Sequence, residues 1–394
     1  MQTVVLAAGE GTRMRPLTAT RPKPMLPVAG RPMLEHVLDA AVDAGATRLV
    51  LVVGYREDVI RDHFGEAYRD VPVEYAVQET QEGTAHAVKI ARPHLEEAPF
   101  AVMAGDNLYD AASVATLYDE APAIGAYEVE DPRPYGVFEL DGERVTGVVE
   151  KPADPPSNLV NVSAYAFPAE ALDWLDVERS ERGEYEITDV LARVIDAFDV
   201  AAVPVERWLD VGRPWELLEA NEWKVGELDR ALHGHVHEDA TVTGDVLVED
   251  DATVHAGAVI EGPALVQDGA SVGPNAYVRG ATVVGPDAHV GHAVEVKNSV
   301  LMAGATVGHL TYVGDSVLGR DVNLGAGTVV ANLRHDDEPV KLTVKGERVS
   351  TGRRKFGVVV ADGVKTGIDT NLNAGVTLSA GATTGPGETV TRDR

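Results

Sequence analysis

Between Val4 and Leu26 the chain reads VVLAAGEGTRMRPLTATRPKPML, and its residue types suit phosphate chemistry. The uncharged apolar run from Val4 to Ala8 predicts a buried parallel strand that Gly9 and Gly11 terminate. Glycines at a strand end let bare backbone N–H groups approach an anion, and Arg13, Arg15 and Lys23 follow within reach to neutralise it. Leu6, Ala8, Gly9, Gly11 and Thr12 are the candidate nucleotide contacts. A P-loop would close with Gly-Lys-Ser/Thr, and a dinucleotide fingerprint would place a third glycine near Met14. Neither is present, which sets aside ATPase and dehydrogenase readings.

Magnesium takes oxygen ligands and keeps several waters, so one or two carboxylates beside phosphates suffice to hold it. Asp106 is placed for this, following Gly105 at the end of the apolar strand Phe100 to Ala104, although a lone aspartate there is more often a turn or cap residue. In QETQEGTAHA, the amides of Gln78 and Gln81 suit the edge of a pyrimidine, and Gly83 lets it approach backbone. The alternative there is a polar loop with Thr84 as a helix cap.

Read as GEGTRMRPLT, a short spacer and PKPMLPVAGRPML, the first segment resembles the signature loop of the sugar-1-phosphate nucleotidylyltransferases. The resemblance implies in-line attack of a sugar phosphate oxygen on a nucleotide's α-phosphorus, with pyrophosphate leaving. Positioning and charge neutralisation would carry the catalysis. Arg13 would hold the pyrophosphate, Lys23 the reacting phosphates, and Asp106 with Asp210 of Trp208-Leu209-Asp210-Val211-Gly212 would hold Mg2+. The same resemblance favours base recognition by Gln78, Gln81, Gly83 and Thr84. It assigns sugar contacts to Gly136, to Glu150 and Lys151, and to Asn161.

The elements that must position these residues fall into two halves. Met33, Leu34, Val37, Leu38, Ala41 and Val42 repeat at helical spacing up to Gly45, and Arg48 to Val53 reads as the next strand. With Val73 to Val77, a helix from Thr84, and Phe100 to Ala104, this predicts a Rossmann-like, mostly parallel sheet with ligands beyond the strands' carboxyl ends. From Val236 the period becomes six: Val242, Val248, Val254, Ile260, Val266, Val272, Val278, Val284, Val290 and Val296 follow without a miss. That is the hexapeptide signature of a left-handed parallel β-helix. The beat slips by one at Leu301 and Leu318, marking bulges or shortened turns, and a charged insertion interrupts it from Ala331 to Phe356. The expected division is a nucleotidyltransferase domain over 1–213, a connecting helix within 214–234 (Trp215 to Leu232), and a β-helix domain over 235–394.

In the β-helix half, Arg279, Lys297, the run GHLTYVGD from Gly308 to Asp315, and Asn323 in NLGAGT resemble the acetyltransferase half of the bifunctional N-acetylglucosamine-1-phosphate uridylyltransferase/glucosamine-1-phosphate acetyltransferase family. The resemblance implies acetyl-CoA as co-substrate and His309 as general base, since neutral imidazole suits an amine nucleophile near pH 7. Arg279 and Lys297 would bind the sugar's phosphate, and Tyr312, Asn323 and Asn332 its hydroxyls or amine. The pattern departs from the bacterial one at Asn332-Leu333 and in the insertion, and is closer to archaeal relatives. The choice between UTP and dTTP, and between gluco and galacto hexosamine-1-phosphates, stays open, as do a β-helix that only trimerises or regulates and a non-catalytic regulatory subunit.

With 63 acidic against 34 basic residues and a net charge of −29, nucleic acid and anionic membranes are poor partners. Only nine of the basic residues are lysines, which suggests a salty cytosol. The absence of cysteine excludes thiol catalysis. No apolar leader or long apolar span is seen, so the expectation is a cytoplasmic protein, and the family resemblance implies a homotrimer.

Overall fold

Val4 and Val5 are both fully buried on opposite faces of the strand Gln2–Leu6, the pattern of a parallel strand covered on both sides. In the computed structural model, which describes residues 1–142, 144–180 and 182–394, this strand is central to a ten-stranded sheet. It pairs in parallel with Arg48–Val53 on one side and Phe100–Ala104 on the other, and Arg48–Val53 pairs in parallel with Val71–Val77. The sheet is mixed beyond that block. Leu159–Phe167 runs antiparallel to both Phe100–Ala104 and Ala123–Glu128, and a hairpin of Gly136–Asp141 and Arg144–Glu150 forms an edge.

The chain forms two compact units that do not follow a single cut. Residues 1–10, 22–25 and 32–210 make the first; residues 11–21, 26–31 and 211–394 make the second. The chain therefore leaves the first unit at Gly11 and returns at Pro22 and again at Pro32.

The second unit is a parallel β-helix built as three sheets of short strands, one per face. Val254, Val272, Val290 and Val307 lie in register on successive coils and are fully buried. Both slips in the hexapeptide beat are shortened corners: the register changes from Val266↔Val284 to Val284↔Leu301, and Asn298 and Asp315 take left-handed backbone there (φ 44° and 50°). The charged insertion is a hairpin, Lys341–Val344 with Glu347–Ser350, turning at Lys345 and Gly346 (φ 50° and 86°). The connecting helix is shorter than the expected Trp215 to Leu232. It runs Pro214–Val225 and stops at Gly226, because Arg230 reaches the carbonyls of Val242 and Gly244 and commits Ala231–Leu232 to the first coil. Among the described residues no helix is long and apolar enough to cross a membrane.

Candidate functional site

In the first unit, the carboxyl ends of Gln2–Leu6 and Phe100–Ala104 lie side by side, Leu6 opposite Ala104, where the sheet's connections diverge. Gly105 donates its N–H to Leu6 O at 2.9 Å, and a β-carbon on Gly105 would stand 2.8 Å from that oxygen. Only glycine fits, and it delivers Asp106 at the strand end. Lys23 Nζ donates to Asp106 Oδ2 at 2.5 Å, with Lys23 itself 5% exposed. Trp208–Asp210 pairs antiparallel with Asn107–Tyr109 and sets Asp210 opposite Asn107. The second carboxylate thus arrives one residue along from the first. Among the described residues no three metal-ligating side chains cluster. Two carboxylates are the donor set magnesium uses when water and phosphate supply the rest.

Gln81 Nε2 donates to Ala8 O at 3.0 Å, tying the candidate base loop to the candidate nucleotide loop. Gln78 is buried, with Nε2 3.2 Å from Gly83 O. Gly83 sits at φ 121°, and a β-carbon there would meet Tyr185 O at 2.3 Å. Gly83, not Thr84, takes the cap position of the helix Thr84–Ala91; the Thr84 hydroxyl instead accepts the Ile187 N–H at 2.9 Å.

Gly136 and Glu150 face each other on the edge hairpin, where a β-carbon on Gly136 would stand 3.0 Å from Glu150 Oε1. Burial pushes the Glu150 carboxyl above its ordinary range, against the pull of Arg182 at 3.6 Å. Lys151 follows in left-handed backbone with its N–H on Tyr135 O. Asn161 stands at an irregularity of its strand, where Oδ1 accepts the Ser163 N–H and Nδ2 donates to Tyr165 OH, both at 2.8 Å.

The loop residues Gly11, Thr12 and Arg13 belong to the second unit. Gly11 (φ 62°) precedes the turn Thr12–Met14 and accepts the Thr18 hydroxyl at 2.9 Å. Arg13 packs against Gly212, where a β-carbon would lie 3.3 Å from Arg13 Nη2.

On the β-helix, Arg279 lies directly opposite Lys297, and Glu295 opposite Tyr312, on successive coils. Arg279 Nη2 donates to Glu295 Oε1 at 2.7 Å. Lys297 Nζ donates to both carboxylate oxygens of Asp315 at 2.9 Å, and Asp315 is 2% exposed. Asp315 also accepts from Asn298 at 3.0 Å and Asn332 at 2.5 Å, and Asn332 Nδ2 lies 3.2 Å from Tyr312 OH. Burial raises the Tyr312 hydroxyl's pKa, and the Asn332 bond opposes it. Lys297, Tyr312 and Asn332 are therefore brought together. His309 and Asn323 stand outside this cluster: His309 is exposed at the corner before Tyr312, and Asn323 sits in a different sheet between Thr306 and Lys365.

A nucleotidyl transferase family model matches residues 2–225, and a model described as GMPPB C-terminal domain matches residues 260–379. A bifunctional protein GlmU of Methanococcus vannielii is 39% identical over 402 residues, covering 100% of this chain and 95% of that protein. A bifunctional sugar-1-phosphate nucleotidylyltransferase/acetyltransferase of Sulfurisphaera tokodaii is 35% identical, covering 100% of this chain and 98% of that protein. The chain belongs to this bifunctional family. A UTP–glucose-1-phosphate uridylyltransferase, AglF, of Haloferax volcanii is 42% identical over 233 residues, covering 56% of this chain and 96% of that protein.

As a sugar-1-phosphate nucleotidylyltransferase/acetyltransferase, the chain has residues at its candidate second site to which sequence reasoning gave no role. Asp315 organises Lys297, Asn298 and Asn332, and its signal was the slip in the beat just after it. Glu222 of the connecting helix accepts from Asn298 at 2.7 Å and from Arg353. Nothing in the sequence announced that reach.

Proposed function

We propose that the enzyme makes UDP-N-acetylglucosamine in two steps, N-acetylating glucosamine-1-phosphate with acetyl-CoA and then transferring uridylyl from UTP with release of pyrophosphate. The observation that carries this reading is that each unit of one chain holds its own phosphate-suited cations: Lys23 beside Asp106 in the first, Arg279 opposite Lys297 on successive coils in the second. In the first step His309 takes a proton from the sugar's amine as its nitrogen attacks the thioester carbonyl; the C–S bond breaks and CoA leaves as the thiol. Arg279 and Lys297 hold the phosphate, and Tyr312 and Asn332 orient the sugar; His309 and Asn323, outside that cluster in one chain, meet the sugar across the subunit interface of the proposed trimer. In the second step Lys23 and Arg13 neutralise the phosphates while Leu6, Ala8, Gly9, Gly11, Thr12, Gln78, Gln81, Gly83 and Thr84 hold the nucleotide. Gly136, Glu150, Lys151 and Asn161 hold the sugar. Asp106 and Asp210 would hold Mg2+, which when bound supplies further charge neutralisation.

The setting we propose is a cytoplasmic, salt-adapted homotrimer, with exposed Leu310, Val329 and Ile368 as apolar surface for assembly. A second reading, uridylyl transfer to glucose-1-phosphate with the β-helix as scaffold, is favoured by the likeness of the first half to the Haloferax volcanii enzyme. The test is pyrophosphate release over a grid of UTP and dTTP against glucosamine-, N-acetylglucosamine-, galactosamine- and glucose-1-phosphate. Preference for UTP with N-acetylglucosamine-1-phosphate supports the first reading, and preference for glucose-1-phosphate the second.

A further inference from the structure

Within the second unit, the signature segment 11–21 is fastened to the β-helix by one carboxylate. The Thr20 hydroxyl donates to Asp362 Oδ2 at 2.7 Å, and Arg21 Nη2 stands 3.6 Å from the same oxygen. Asp362 also accepts the Arg320 N–H at 2.8 Å and the Arg320 guanidinium at 2.9 Å. The Arg21 side chain is 11% exposed, and its Nη2 is buried without a hydrogen-bond acceptor. Burial disfavours the Arg21 charge, Asp362 restores it, and Arg320 opposes it. Asp362 therefore separates two like charges, one of them buried.

We propose that Asp362 is a positioning residue for nucleotidyl transfer: by anchoring Thr20 and Arg21 it fixes the segment that carries Arg13. The proposal rests on Arg13 acting on the phosphates. Without the carboxylate, buried Arg21 is left uncompensated beside Arg320, and a charge in that position is expelled to water, taking the segment with it. At its other end the segment makes the turn Thr12–Met14, and Arg13 packs on Gly212.

The test uses the full chain with Asp362→Asn and Asp362→Ala, read by pyrophosphate release, melting temperature and tryptic cleavage after Arg13. Arg13 is the one arginine of segment 11–21 not followed by proline, so trypsin reports on this loop at a single bond. The expected result for Asp362→Asn is a loss of about tenfold or more in kcat/KM, expressed mainly in kcat, with faster cleavage after Arg13 and a cooperative melt retained. In an Arg21→Met, Thr20→Val background the further Asp362→Asn change should add less than twofold to the loss of kcat/KM, because its partners in the segment are already gone and only Arg320 of the β-helix remains. A folded Asp362→Asn protein with kcat/KM within twofold of native overturns the proposal, as does full additivity in that background. If the native chain releases no pyrophosphate, the reading of Arg13 fails instead, and unchanged cleavage after Arg13 then separately refutes the anchoring.

Discussion

Lys23 and Asp106 neutralise each other at a strand end, and Asp210 arrives across a short ladder. Asp106→Asn therefore removes both a partner of Lys23 and one of the two carboxylates proposed for magnesium. It should lower pyrophosphate release by at least about a hundredfold while leaving CoA release intact; near-native pyrophosphate release by the folded variant would contradict this. Glu150 is raised by burial above the ordinary glutamate range near about 4.3. Its carboxylate is lost as pH falls through that raised value, so KM for the sugar phosphate should climb at a pH where an ordinary glutamate is still ionised. A KM flat down to the ordinary range excludes Glu150 from sugar binding. Lys23 and Asp106 were legible because their setting is local: a strand, a glycine, a charge. Asn161 was legible only as a type, since its amide partners Ser163 and Tyr165 depend on a strand irregularity that no local pattern announces.

The β-helix is the element most plainly written in the sequence, because every sixth side chain must enter one core. Its irregularities are informative for the same reason. Each slip shortens a corner, and those corners hold Asn298 and the buried Asp315 around which Lys297 and Asn332 gather. Asp315→Ala leaves Lys297 without its carboxylate and strands two amides, so stability should fall by about 3 kcal/mol and CoA release should fall with it. A melting temperature unchanged from native would show that the corner does not depend on this carboxylate. The antiparallel strand Leu159–Phe167 was not legible, since strand order is set by long-range pairing. Nor was the early end of the connecting helix, which depends on Arg230 meeting carbonyls of the next coil.

For the whole molecule the dominant physical fact is its net charge of −29. Self-repulsion should destabilise the folded chain in dilute buffer, and screening should relieve it as the Debye length shortens. The melting temperature should rise with potassium chloride up to molar concentrations; a flat or falling trend removes the salt-adapted reading. Sedimentation at micromolar concentration should give a trimer or a multiple of one, and an active monomer would contradict that assembly. The most direct test of two chemistries in one chain is thiol release. Native enzyme given glucosamine-1-phosphate and acetyl-CoA should release CoA and form N-acetylglucosamine-1-phosphate, and His309→Ala should slow this by roughly two to four orders of magnitude without altering uridylyl transfer. No CoA release with any hexosamine-1-phosphate, alongside robust pyrophosphate release, would contradict the account and leave the β-helix a scaffold.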